Sequence, residues 1–293
     1  MPATLRKIPK ETLINELGRL SSESLRRKFL TKHKALVRRD TVENLAQLVV
    51  QKVRISTQEA LNLAEAAVLI AKRLRGKEAL ALGLRAKANA LYSSGDNRAA
   101  IEHHQQAFKL YESLGIWNEA GRTLSSSIQP MILLGEYDQA FQAAERAREI
   151  FERLDDPWRL ARLEINVGNI YHRQDRFEES ISHYERAYTS LMPYKDTEGL
   201  AVLLSNMAVC LISLNDFPRA LATYQGARSF CEQNNMPLLV ARRTTTSRIS
   251  TICAENTAEP SRRSTPPGVP AKTPEMPITS PCATWISPIF ISS

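Results

Sequence analysis

The residues best suited to chemistry in this 293-residue chain are five histidines and four cysteines, and their spacing forms no catalytic or metal-binding motif. There is no CxxC pair, no Gly-rich phosphate loop and no nucleophile motif. We therefore predict a protein that is not an enzyme, with no metal and no cofactor, and with reduced, mostly buried thiols. The residues concerned are Cys210, Cys231, Cys253 and Cys282, and the repeat histidines His103, His104, His172 and His183. We expect these histidines to lie on the surface or to line a groove.

The elements that would position any site recur every forty residues. Self-similarity at a fixed period of this size is typical of a helical solenoid, in which each unit buries its apolar face on its neighbours. The aligned rows are Ala100, Ala140, Ser180 and Ala220, then Ile101, Phe141, Ile181 and Leu221, then Ala107, Ala147, Ala187 and Ala227. The pattern predicts stacked helix pairs and a role in binding rather than catalysis.

Each unit reads as two amphipathic helices, most clearly over residues 160–192. A residue that tolerates the left-handed conformation ends the first helix of each pair. These turn residues are Gly95, Gly135, Asp175 and Asn215, and an aromatic follows two positions later at Tyr137, Phe177 and Phe217. We expect that ring to fill the wedge between the two helices.

The motif of the third unit resembles the tetratricopeptide repeat, over about residues 77–240. The positions that carry the resemblance are Val167, Gly168, Tyr171, Phe177, Ser180, Tyr184 and Ala187. The unit is longer than the usual ~34 residues. The resemblance implies an all-α, right-handed superhelical solenoid of antiparallel helix pairs. The stretches LEINVGNIYHRQDRFEES and LSNMAVCLISLNDFPRAL also resemble the N-terminal solenoids of bacterial proteins that end in a CHAT domain, a caspase-like peptidase module, which implies a docking arm.

By the same resemblance, first-helix positions line a concave groove. Asn side chains can hydrogen-bond the backbone of an extended peptide, and Arg can bind carboxylates. We accordingly predict a protein or peptide ligand in the groove, with an ordinary solvated face as the alternative. The groove residues are Arg85, Asn89, Arg122, Ser126, Gln129, Arg162, Asn166, Asn169, Arg173, Ser205 and Asn206.

The net charge of +8 belongs to the ends of the chain, because residues 1–56 hold 13 Lys and Arg against 5 Asp and Glu. The basic run at residues 24–40 suggests an alternative function, a regulator that contacts nucleic acid. We favour a solvated helix face there, because a single aromatic residue, Phe29, and no nucleic-acid motif accompany the charges. The N-terminus has charges where an export signal needs an apolar run, so we predict a cytoplasmic protein without a membrane partner.

A Pro/Ser/Thr-rich tail at residues 242–293 holds eight of the 15 prolines and predicts a disordered segment. Read in a displaced frame, its codons permit repeat-like residues at Thr257, Pro260 and Ser261, each forty positions beyond Phe217, Ala220 and Leu221. We therefore predict a frameshift product from about residue 243, and self-association through an uncapped last repeat.

The resulting domain plan is a basic helical segment at 1–40, a divergent leading helix pair at 41–76, four repeats at 77–241 and the tail at 242–293.

Overall fold

The computed structural model describes residues 9–233, and its regular elements there are helices only. The predicted tail at 242–293 and the predicted frame change lie outside the described residues. The twelve α-helices of the described part are α1 Lys10–Arg19, α2 Glu23–Lys32, α3 Arg39–Lys52, α4 Thr57–Leu74, α5 Lys77–Ser93, α6 Asn97–Ser113, α7 Trp117–Leu133, α8 Tyr137–Arg153, α9 Pro157–Arg173, α10 Phe177–Leu191, α11 Thr197–Ser213 and α12 Phe217–Gln233.

The described chain forms two compact units, residues 9–170 and residues 171–233. In the first unit, each helix from α3 to α8 packs against the next one along the chain, and α1 and α2 pack on α4. In the second unit, α10 packs on α11 and α11 on α12. Short connections between neighbouring helices make antiparallel pairs. The predicted all-α fold of stacked helix pairs is confirmed for the described residues.

Left-handed turn residues recur every twenty positions, twice as often as the sequence indicated. They have φ between 50° and 89° and are Arg75, Gly95, Gly115, Gly135, Asp155, Asp175, Lys195 and Asn215. At the first complete turn, the Gly95 N–H donates to the Tyr92 carbonyl and the Asp96 N–H to the Leu91 carbonyl, both at 3.0 Å. This pair of bonds is the Schellman motif, which satisfies carbonyls that a helix end leaves open. The turns therefore end both helices of a repeat in the same way.

The predicted small rows lie at the closest helix contacts. Every member of the Ala100 row is fully buried, and so are Ala107, Ala147 and Ala187. Two glycines allow still closer approach. A Cβ on Gly83 would lie 3.1 Å from the Val68 backbone nitrogen of α4, and one on Gly121 would lie 2.6 Å from the Phe151 ring of α8. Small side chains thus set the helix spacing, as dense packing requires.

A buried polar cluster fixes the leading helices on α4. Arg26 of α2 is 2% exposed, and its guanidinium donates to the Leu20 carbonyl and to Glu65. The Asn62 amide of α4 donates to the Gly18 carbonyl of α1 at 2.9 Å. A buried charge is tolerated only when it has partners. This cluster therefore fixes the position of α1 and α2 against α4.

Candidate functional site

The predicted groove residues of the first unit fall on one polar face of α5, α7 and α9, which we term the first-helix face. Six of them are half-buried and two are buried. The half-buried side chains are Arg85, Asn89, Arg122, Ser126, Gln129 and Asn169, and the buried ones are Arg162 and Asn166.

Glu119 of α7 joins two arginines of the face. Arg122 Nη1 lies 2.8 Å from Glu119 Oε1, and Arg85 of α5 contacts the other carboxylate oxygen. Burial acts to raise the pKa of Glu119, but Arg85 and Arg122 outweigh it and hold that pKa below its ordinary value. Burial lowers the pKa of Arg122, and Arg85 lowers it further. Sequence reasoning missed Glu119, although the acid lies three residues before Arg122, where helical side chains meet.

The first turn of α9 adds two more arginines around an aromatic ring. The guanidinium carbons of Arg159 and Arg162 lie 5.5 Å and 4.9 Å from the ring centroid of Trp158. Arg159 also pairs with Asp156, the residue before the helix. Arg159 is close enough to Arg122 to lower its pKa. The face therefore groups four guanidinium groups with two carboxylates and one indole, a combination that favours anionic ligands.

Asn166 is buried because it bonds α9 to α7. Its Nδ2 donates to Ser125 Oγ at 3.0 Å and to the Ser125 carbonyl at 3.3 Å. Its Oδ1 accepts from Gln129 Nε2 at 3.3 Å. An amide with all these bonds holds the helices together and has little capacity left for a ligand.

Asn89 and Ser126 stand forty positions before Gln129 and Asn166, but they do not repeat this bonding. The shorter Ser126 side chain replaces the amide, and Asn89 Oδ1 is buried without a hydrogen-bond partner among residues 9–233. A buried acceptor without a partner is costly, so Asn89 Oδ1 is a polar atom of this face that the packing of residues 9–233 leaves unsatisfied.

The three remaining predicted groove residues lie in the second unit. Arg173 is half-buried at the end of α9. Ser205 bonds within its own helix, donating to the Ala201 carbonyl at 2.8 Å. Asn206 hydrogen-bonds the buried Tyr184 hydroxyl. Ser205 and Asn206 therefore have hydrogen-bond partners within the unit.

The expectation that the repeat histidines lie on the surface or line a groove is wrong for His104. Its side chain is 1% exposed, and neither ring nitrogen has a hydrogen-bond partner in the described part of the chain. Burial, and then the nearby Arg85 and His103, lower the pKa of His104 to about 3. His172 is also buried, beside the Phe177 ring at 5.8 Å. The sequence contained the signal, because His104 stands in the same row as Ala144, Tyr184 and Tyr224.

No grouping of three or more His, Cys, Asp or Glu side chains in residues 9–233 could hold a metal ion. No helix of this range is both long enough and apolar enough to cross a membrane.

The tetratricopeptide repeat family model matches residues 131–190 and 159–233. No curated protein matches the sequence. Among solved structures, the chain is similar to BtubC (BKLC) from P. vanneervenii, with 19% identity over 91% of this chain and 100% of that chain and a TM-score of 0.53. It is also similar to a Rap protein complexed with competence and sporulation factor, with 14% identity over 85% and 72% of the two chains and a TM-score of 0.57.

A third similar structure is a signal-transduction ATPase with numerous domains from Pyrococcus horikoshii that has a tetratricopeptide repeat sensor. Its identity is 12% over 82% of this chain and 38% of that chain, with a TM-score of 0.57. Identities this low establish the fold alone. The family match covers residues 131–233, and the helices of the structure over this range are consistent with it.

Proposed function

We propose that this chain is a non-enzymatic scaffold that binds a protein or an extended peptide on its first-helix face. The observation that carries the proposal is the grouping of guanidinium groups on that face, where Arg85 and Arg122 share Glu119 and Arg159 pairs with Asp156. Arginine at a partly desolvated site binds carboxylates in a planar, bidentate way. The preferred ligand is therefore a peptide with acidic side chains.

Asn89 supplies the second part of the recognition. Its buried Oδ1 is an acceptor that a peptide N–H would satisfy, while Trp158 offers an apolar surface beside the cations. A backbone contact with neighbouring charge and ring contacts is a common way to hold an extended segment. We assign Asn166 and Gln129 to supporting the face, because they bond each other. Arg173, Ser205 and Asn206 stay proposed groove residues of the second unit, taken by itself.

Proteins with similar repeats support a role in ligand binding within a longer protein. The Rap protein with a similar fold was solved complexed with competence and sporulation factor, which supports ligand binding by a fold of this type. The resemblance to solenoids of bacterial CHAT-domain proteins supports a docking arm of a longer, cytoplasmic protein. In that arrangement, this chain would bind the partner and another module would act on it.

Peptide arrays probed with the full chain test the proposal. Acidic peptides are expected to bind best, and Arg122→Gln is expected to weaken them about tenfold, or about 1.4 kcal/mol. Arg146→Gln is the matched control, because Arg146 is half-exposed on the second helix α8 and pairs with Glu112. Equal binding by the wild type and Arg122→Gln would contradict the proposal, as would equal losses in both variants.

A further inference from the structure

The fold brings two basic segments of the chain together on the surface of the first unit. One is the run in α2, and the other lies at the end of α4, about 45 residues later. Arg73 Nη2 of α4 donates to the Arg27 carbonyl at 3.0 Å and lies 3.5 Å from Thr31 Oγ1 of α2. Lys72 is close enough to lower the pKa of Glu23 together with Arg27, whose hydrogen bond to Glu23 contributes most. Six cations form the resulting basic surface: Arg27, Lys28, Lys32, Lys72, Arg73 and Arg75.

Little negative charge opposes this surface. All six residues are exposed, and within residues 9–233 the one carboxylate paired with any of them is Glu23, which lies 2.5 Å from Arg27. The other five cations have no carboxylate partner within residues 9–233. By contrast, the neighbouring Arg39 is paired with Glu43 and Glu78. The basic surface is therefore an unneutralised patch rather than a set of surface salt bridges.

We propose that this basic surface binds the phosphate backbone of a nucleic acid without reading its sequence. Lys28 and Lys32 are one helical turn apart, about 6 Å along α2, and the cations of α4 lie beside them. Such a strip of exposed, flexible cations suits a polymer whose phosphates are closely and regularly spaced. The six residues include no aromatic ring that could stack on a base, and the proposal assigns their cations to phosphate contacts, which carry no sequence information.

The packing of α2 argues against a membrane as the partner. A helix that lies on a lipid surface needs a free apolar face. The buried side chains of α2, Leu30 and Arg26, are on the side of the helix that packs on α4. Outside that contact, the apolar side chains of α2 are Leu25, which is 46% exposed, and the half-buried Phe29, whose ring centroid lies 4.5 Å from that of His33. Two partly covered side chains do not form the continuous apolar face that a lipid surface requires, whereas the cations beside them suit a nucleic-acid backbone.

The binding of the full chain to a fluorescent DNA duplex tests the proposal. If four or five phosphates are contacted, the logarithm of the affinity should fall with the logarithm of salt with a slope of about −4, measured between about 50 and 200 mM. The double variant Lys32→Gln, Lys72→Gln should reduce that slope by about 2 and weaken binding at least about tenfold at the lower salt.

The matched control is Lys109→Gln with Arg153→Gln, which removes the same charge from two exposed sites of the first unit, on the helices α6 and α8 that pack on α5 and α7. It should change affinity less than about twofold and leave the slope unchanged. Equal weakening in both double variants, salt-independent binding or no binding would overturn the proposal. Tighter binding to phosphatidylserine vesicles or to polyglutamate than to DNA would overturn it too. Because Arg122→Gln leaves the basic surface intact, that variant should bind DNA as the wild type does.

Discussion

His104 and Tyr184 occupy the same row of the repeat, eighty positions apart, and both side chains are buried. In the second unit, the Tyr184 hydroxyl has Ser180 and Asn206 as hydrogen-bond partners. In the first unit, the described residues give the His104 ring none. The two positions share a shape and a depth of burial, but only one of them satisfies its polar atoms.

The difference teaches that two buried rings at one repeat position can differ in their polar bonding. The row does not fix side-chain volume either, because it also holds the buried Ala144. A planar ring fits the row in either unit, whereas a hydroxyl at the tip of a tyrosine reaches partners that an imidazole does not. A buried polar group without a partner destabilises the folded state. We therefore expect the first unit to depend on the protonation of its histidine, and the second on its tyrosine hydrogen bonds.

Acid should reveal the largest difference between His104 and Tyr184, because it lowers the folding stability through His104. The pKa of His104 is about 3 when folded and about 6.5 when unfolded, so the unfolded chain binds the proton first as the pH falls. The stability from neutral His104 is complete above pH ~6.5 and is lost progressively down to pH ~3, by about 1.4 kcal/mol per pH unit. At pH ~4 the loss should approach about 3 kcal/mol. Urea unfolding at a series of pH values measures it.

The control is His104→Leu, which fills a similar volume without a titrating group. His103 and His172 also have pKa values lowered by burial, and they stay in both proteins. The difference between wild type and variant therefore isolates His104. If the free energies of unfolding of wild type and His104→Leu changed by equal amounts between pH ~7 and ~4, protonation of His104 would not contribute to the loss of stability, which would contradict the prediction.

The asparagine row offers a second comparison, between Asn166 and the smaller Ser126 forty positions before it. Asn166→Ala removes bonds to Ser125 and Gln129 and leaves their polar atoms buried, so it should cost about 2 kcal/mol. Ser126→Ala should change the free energy of unfolding by less than about 0.5 kcal/mol. Hydrogen exchange of α7 and α9 measures both locally. Equal effects would mean that the amide does not bond the two helices.

Much of the fold could be predicted, because packing repeats with the sequence. The Ala100 row is fully buried, and the turn row that contains Gly95 has positive φ as the residue types indicated. The alternate turn row was missed because Arg75, Gly115, Asp155 and Lys195 share no residue type. Their conformation is set by the helix ends on both sides, which a search for common residues at fixed spacing does not detect.

The candidate site was harder to predict, because its chemistry depends on contacts between repeats. The register places Asn166 on the first-helix face, but only coordinates reveal that its amide bonds Ser125 and Gln129. The forty-residue register likewise does not predict that Arg85 pairs with Glu119, because the two residues are thirty-four positions apart and do not share a row. Residue type predicted a polar and cationic face, while the contacts determine which side chains on it remain available.

The smallest expected effect concerns the tyrosine of the comparison. Tyr184→Phe keeps the ring and removes the hydroxyl, which leaves Asn206 and Ser180 without that partner, so it should cost about 1 kcal/mol. Tyr224→Phe is the matched control in the same row, because Tyr224 is only half-buried and water can replace a bond there. Urea unfolding of both variants at neutral pH gives the values. If Tyr184→Phe were as stable as the wild type, hydrogen bonding would not distinguish the tyrosine from His104, and burial of the ring alone would explain both positions.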